Sequence, residues 1–181
     1  LEDVGSAIDH LSTLAIHEGR LDLGRVAVVG HSAGGQLALC VGARSTAVRR
    51  FAPLKVYPAA VCGLAAVSDL EGAFALGSGN DAARTLMEGS PDEHPDRYAQ
   101  ASPRKLLPLG VRQLLIHGLL DDAVPLELSR TYVRAARDAG ERVDYIELPG
   151  TGHMQYLDPA SEAHARLCAW LEAALDSGTS N

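Results

Sequence analysis

The sequence predicts a three-layer α/β fold, a parallel sheet with helices on both faces. Three observations carry that reading. An apolar, β-branched run, Val26-Ala27-Val28-Val29, ends in Gly30-His31-Ser32-Ala33-Gly34-Gly35, and a small-residue helical stretch follows. Residues 60–67 (Ala-Val-Cys-Gly-Leu-Ala-Ala-Val) form a continuous apolar run, as expected of a strand buried on both faces. Two further strand patterns, 111–117 and 143–148, alternate with helical ones, the order a parallel sheet requires.

The elements follow in chain order. Val4, Ala7, Ile8, Leu11, Leu14 and Ala15 recur at three-and-four spacing, which predicts an amphipathic helix over 3–18. Gly19 and Gly24 bracket the loop into the first strand, 26–29. A helix is expected over 33–44, small on one face (Ala33, Gly34, Ala38) and so able to pack close to a sheet. A helix at about 126–139 ends at Gly140, a residue suited to a C-cap. A last helix, 160–175, carries Leu167, Trp170, Leu171 and Ala174 on one face. The segment 70–108 breaks the rhythm. It is rich in Gly, Pro, Asp and Ser, and long loops of this kind are functional or irregular, so it reads as a lid-like excursion over the sheet's C-terminal edge or as a plain surface insertion. The tail from Asp176 to Asn181 is polar and expected to fray.

Composition narrows the function. The chain has 181 residues, one domain's worth, and is 46% hydrophobic and 22% charged, enough to bury a core. A net charge of −7 argues against nucleic acid or an anionic membrane as the main partner. No apolar run approaches the roughly 20 residues of a membrane span. Cys40, Cys62 and Cys168 lie far apart in apolar surroundings without metal-ligand spacing and read as buried free thiols. No metal or organic cofactor is implied. The chain begins at Leu1, directly in a helical pattern, and reads as the C-terminal part of something longer. Any targeting signal would lie upstream, and the cytoplasm is the expected compartment.

Gly-x-Ser-x-Gly between a strand and a helix is the sequence form of a nucleophile elbow. The serine there is strained and exposed, and its flanking glycines are expected to avoid collisions with the neighbouring strand and helix. The free N–H groups at the helix start, that of Ala33 above all, can hold a developing negative charge. Serine needs a base, and the base needs an acid to fix its tautomer. Two later loops offer them. His117-Gly118-Leu119-Leu120-Asp121-Asp122-Ala123-Val124-Pro125 follows a strand, so Asp121 and Asp122 sit at the C-terminal edge where open α/β sheets place their sites. Either aspartate could instead cap the next helix, and His117 reads as ordering the loop. Pro149-Gly150-Thr151-Gly152-His153-Met154 follows the last strand and brings His153 to the same edge as general base. Asp69 also ends a strand. It is a lesser candidate for the acid, and its plainer role is to order its loop. His31 and Met154 are candidates to line a substrate pocket, with core filling the alternative for Met154. His10, His17, His94 and His164 read as solvated surface residues.

Together these motifs resemble the α/β-hydrolase superfamily, within it the esterase, arylformamidase and prolyl-oligopeptidase-like group. The acid loop of that group reads His-Gly-x-x-Asp-x-x-Val-Pro, and His117 to Pro125 fits every fixed position. The resemblance puts the acid on Asp121, the nucleophile on Ser32 and the base on His153. Pro103 in Ala101-Ser102-Pro103 and the approach Glu147-Leu148-Pro149-Gly150 are also typical of the group. It implies a serine hydrolase cleaving a small carboxylic ester or arylformamide through an acyl-enzyme. The rivals are a prolyl-oligopeptidase-like peptidase, a non-catalytic binding module of the same fold, and an inactive fragment. The four strands correspond to strands five to eight of the family's sheet, a truncated α/β-hydrolase fold lacking the N-terminal strands. The His-Gly-Gly type loop that supplies oxyanion donors is absent, leaving the N–H of Ala33, with Gly34 beside it. One missing donor costs on the order of 10²–10³ in rate. The first strand would then have an unpaired edge, which we expect an upstream segment or another chain to cover.

Overall fold

Four parallel strands, β1 (Ala27–His31), β2 (Ala60–Leu64), β3 (Arg112–Gly118) and β4 (Val143–Leu148), hydrogen-bond in sequence order in a computed structural model of the chain. It describes residues 1–43, 53–79 and 81–176. Val29 pairs with Cys62, Cys62 with Leu114 and Leu114 with Asp144. Parallel neighbours cannot be joined by a tight turn, so helices carry the chain back between strands.

Period-two alternation divides the strand side chains between two faces. Val61 and Leu115 pack against Leu39 and Cys40 of α2 (Ala33–Gly42) and Tyr132, Val133 and Ala136 of α6 (Leu126–Asp138). Cys62, Leu114 and Ile116 face the other way, onto Ala163 and Leu167 of α7 (Glu162–Asp176), with Trp170 and Leu171 packed at the margin. Helix α1 (Glu2–Glu18) lays Ile8 against Val41 and Val28 on the α2 side. It stops where Gly19 turns to φ 61° and its N–H closes on Ala15 O. Gly140 does the same beyond α6, at φ 80°.

Several boundaries differ from the sequence reading for identifiable reasons. The apolar run 60–67 stops being strand at Leu64 because Ala65 takes φ 44°, which breaks the extended path. The first strand runs on through Gly30 and His31 to the serine. Helix α2 is described to Gly42 with Ala43 as its cap, and the expected last residue, Arg44, lies outside the described residues. Asp176 ends α7 and pairs with Arg25 at 2.6 Å, while the rest of the tail lies outside the described residues.

The excursion 70–108 is helical rather than irregular: α3 (Leu70–Ala75), α4 (Ala82–Met87), α5 (Pro95–Ala101) and a 3₁₀ turn, Pro103–Leu106. Helices of six or seven residues each bury one or two side chains, so no periodicity could accumulate. They share a small core of Leu70, Ala73, Ala83, Met87 and Tyr98, closed by Val124 and Leu128. Among the described residues, β1 pairs only with β2, and Val29 on the α7 face is 40% exposed. Cys40 and Cys62 are buried free thiols as expected, but Cys168 is exposed, on the outer side of α7.

Candidate active site

Ser32 joins β1 to α2 at φ 57° and ψ −120°. A non-glycine residue with positive φ costs on the order of 1–3 kcal/mol and persists only where its surroundings dictate it. Here Ser32 N donates to Leu64 O at 2.9 Å, and Ser32 O accepts from Gln36 N at 3.2 Å and Val67 N at 3.3 Å. Close approach of the helix fixes the glycines. A Cβ on Gly30 would lie 2.0 Å from Gly34 O, and one on Gly35 would lie 2.6 Å from Ala66 Cβ. Gly34 was expected to be needed for the same reason, but a Cβ there meets nothing within 4 Å. The constraint thus falls on Gly30 and Gly35. Ala33 N is the first N–H of α2, where a helix leaves its donors without internal partners.

Asp121 and His153 come together at the same edge. His153 Nδ1 donates to Asp121 Oδ2 at 2.9 Å, and the Asp121 side chain is fully buried. Ala123 N and Val124 N donate to Oδ1 at 3.0 and 2.8 Å. One carboxylate oxygen therefore shapes the loop while the other holds the imidazole. Burial pushes this carboxyl up, but the hydrogen bonds from Val124 N, His153 and Ala123 N outweigh it and hold the group below the ordinary aspartate range. The acid and histidine loops are sewn together by Leu119 N to Leu148 O at 2.9 Å and Leu120 N to Thr151 O at 3.0 Å. Among the described residues no hydrogen bond joins Ser32 to His153.

The other candidates fall out as follows. Asp122 is exposed. Asp69 is buried and bonds Arg104 Nε at 2.6 Å and Ser102 Oγ at 3.2 Å, which anchors the start of α3 to the turn before β3. His117 is fully buried. Its Nε2 donates to Val124 O at 3.0 Å, so its Nδ1 accepts from Ser129 Oγ at 2.7 Å. Burial lowers its pKa, and the neutral ring orders the acid loop. Met154 is 62% exposed, neither in the core nor in the cavity described below. His31 is not in that cavity either. It packs on the His153 ring, with centroids 4.5 Å apart. His10 and His17 are exposed and His164 half-buried, while His94 is half-buried and meets Glu88 O at 3.1 Å.

A cavity of about 180 Å³ opens beside Ser32. Ser32, Ala33 and Gln36 border it at the elbow, and Leu70, Ala73, Ala83, Leu86 and Val124 form its apolar wall. The 70–108 segment thus supplies much of the wall. Two contributors escaped the sequence reading. Gln36 bonds Ala101 O at 2.6 Å, and its place four residues after Ser32, one helical turn on, was the signal for it. Tyr156 accepts a hydrogen bond from Gly118 N and lies 5.4 Å from the His31 ring, and no local pattern announces it. Among the described residues no cluster of His, Cys, Asp and Glu could hold a metal ion, and no helix is long and apolar enough to cross a membrane.

Comparison with known proteins gives the same architecture. The chain is similar to the esterase LipC of Mycobacterium tuberculosis, 35% identical over 72 residues, 39% of this chain and 18% of LipC. A truncated carbohydrate esterase from gut microbiota superposes with a TM-score of 0.78 at 19% identity, over 96% of this chain and 67% of that one. An acetyl ester-xyloside bifunctional hydrolase from Caldicellulosiruptor lactoaceticus gives 0.73 at 24%, over 94% and 64%. A putative dipeptidyl aminopeptidase IV from Bacteroides ovatus gives 0.73 at 18%, over 93% of this chain and only 21% of its own length. The profile of the prolyl oligopeptidase family matches residues 2–178, nearly the whole chain, and the chain belongs to that family, with an α/β-hydrolase fold.

Proposed function

We propose that the chain carries the machinery of a serine hydrolase acting on a small carboxylic ester or arylformamide. The observation that carries this reading is the His153 Nδ1 to Asp121 Oδ2 bond at a buried carboxylate, on the same sheet edge as a strained serine. With Nδ1 donating, Nε2 is the ring nitrogen free to accept a proton. Ser32 Oγ attacks the acyl carbonyl carbon as His153 Nε2 takes its proton. The tetrahedral oxyanion is held by Ala33 N–H, with Gly34 N–H beside it. Collapse expels the alcohol or amine, which receives the proton from His153. Water, deprotonated by His153, then releases the acid and restores Ser32. The cavity beside Ser32 is smaller than the roughly 300–1,000 Å³ of drug-sized ligand sites and is apolar, which favours a short aliphatic acyl group.

The test is hydrolysis of p-nitrophenyl acetate and butyrate by the chain and by Ser32→Ala. We expect turnover that falls by at least about a thousandfold in the variant. Equal rates in the two proteins refute the assignment. Family membership also favours a second reading, peptide-bond cleavage, which faster turnover of dipeptidyl p-nitroanilides than of the esters would support. We further propose that an upstream segment of a longer protein, or another chain, covers the side of β1 that is unpaired among the described residues. A cooperative melt by circular dichroism together with a monodisperse monomer by light scattering would sink that idea.

A further inference from the structure

We propose that His31 is a positioning residue that holds the histidine loop in register with the nucleophile. The inference rests on the assignment of Ser32 and His153 made above. His31 precedes Ser32 directly, and its Nε2 lies 2.7 Å from His153 O. A carbonyl oxygen only accepts, so Nε2 carries the hydrogen and the His31 ring donates. Burial lowers its pKa, and repulsion by His153 adds to this against the raising effects of the carbonyl bond and Asp121. The two imidazoles are tilted by 42°. The His31 ring also lies 5.4 Å from that of Tyr156, which is buried and receives a hydrogen bond from Gly118 N at the end of β3.

This fills a need that the Asp121 bond leaves open. A single hydrogen bond at Nδ1 permits the His153 ring to swivel about that bond, and a packed ring alongside blocks the motion. The backbone gains a tie as well, at His153 O, two residues beyond the Leu120 N to Thr151 O bond. The tie comes from the residue next to the serine. Base and nucleophile thereby share one rigid frame, the end of β1. Misplacement of a catalytic group by about 1 Å can cost on the order of 10²-fold in rate.

The experiment compares His31→Ala, His31→Phe (ring kept, donor lost) and His31→Gln (donor kept, ring lost) with Ser32→Ala and His153→Ala. Each is assayed for kcat and KM on p-nitrophenyl butyrate, rate of fluorophosphonate labelling of Ser32, and melting temperature. We expect His31→Ala to lose roughly ten- to a hundredfold in kcat and in labelling rate with KM little changed. His31→Phe and His31→Gln should each recover part of the loss. A His31→Ala enzyme with wild-type kcat, beside an inert Ser32→Ala, overturns the positioning role and leaves the catalytic assignment standing. A loss that follows melting temperature across all three variants, without recovery by Phe or Gln, also overturns it in favour of plain packing. A wild-type chain that neither turns over ester nor labels at Ser32 overturns the catalytic assignment, and this inference with it.

Discussion

On the proposed mechanism, replacing Asp121 with Asn separates two jobs of its carboxylate. Ala123 N and Val124 N point their hydrogens at Oδ1 and His153 Nδ1 points its own at Oδ2. Asparagine offers one acceptor oxygen and one NH₂, so a donor must face a donor on one side. Keeping the oxygen on the two backbone N–H groups preserves two bonds of about 1 kcal/mol each, against one bond in the reverse orientation. The NH₂ then faces His153 Nδ1, and the imidazole adapts by moving its hydrogen to Nε2. In that tautomer it cannot accept the serine proton. The expected loss in kcat is roughly 10⁴-fold, about 5 kcal/mol of transition-state stabilisation. Folding should suffer by only about 1–2 kcal/mol, since the loop bonds survive. Stopped assays on p-nitrophenyl butyrate at neutral pH measure the first quantity and urea melts the second. Asp69→Asn is the control, because its carboxylate engages Arg104 and Ser102 and not His153. Asp121→Asn with kcat within about tenfold of wild type would refute the reasoning, because an orienting acid of this kind is worth far more. A larger loss in Asp69→Asn would refute it too.

Three further outcomes are expected. Gly30→Ala should unfold or severely destabilise the chain, since its Cβ would overlap Gly34 O at 2.0 Å, whereas Gly34→Ala should raise stability by about 0.5–1 kcal/mol from helix propensity alone; thermal melts of the pair decide it. Ala82→Phe, at an exposed position on the cavity rim, should cut the butyrate-to-acetate ratio of kcat/KM roughly tenfold, the value of two lost methylene contacts; an unchanged ratio places the acyl group elsewhere. Burial lowers the pKa of His117, so the unfolded chain binds that proton first as pH falls and stability drops below the unfolded value of about 6.5, levelling once the folded group titrates. Urea midpoints from pH 8 to 5 should fall more steeply for wild type than for His117→Gln.

Much of this was legible in the sequence. The β-branched run before Ser32, the apolar run from Ala60 and the pattern from Val143 mark strands because burial selects for them locally. The edge that Asp121 and His153 reach was legible because each sits in a short loop directly after a strand, while the choice of Asp121 over Asp122 came from the family resemblance. What was hidden depends on contacts distant in sequence. That Gly35 rather than Gly34 is sterically required turns on Ala66. That Cys168 faces solvent depends on the rotation of α7 over the sheet. The bond from His31 to His153 O spans 122 residues, and no local pattern encodes it. The three short helices of the 70–108 segment defeat periodicity by their length.

The side of β1 left unpaired among the described residues would, on the proposal that another segment covers it, make the chain's stability depend on concentration. A parallel strand with one unpaired side is a ladder with open rungs, and an extended segment that docks there stabilises the fold by RT ln(1 + [L]/Kd). With Val29 exposed beside those rungs, a second copy of the chain is one available ligand. A second copy docking there would make the melting temperature rise with protein concentration, and the size of that rise would report how strongly the edge is occupied.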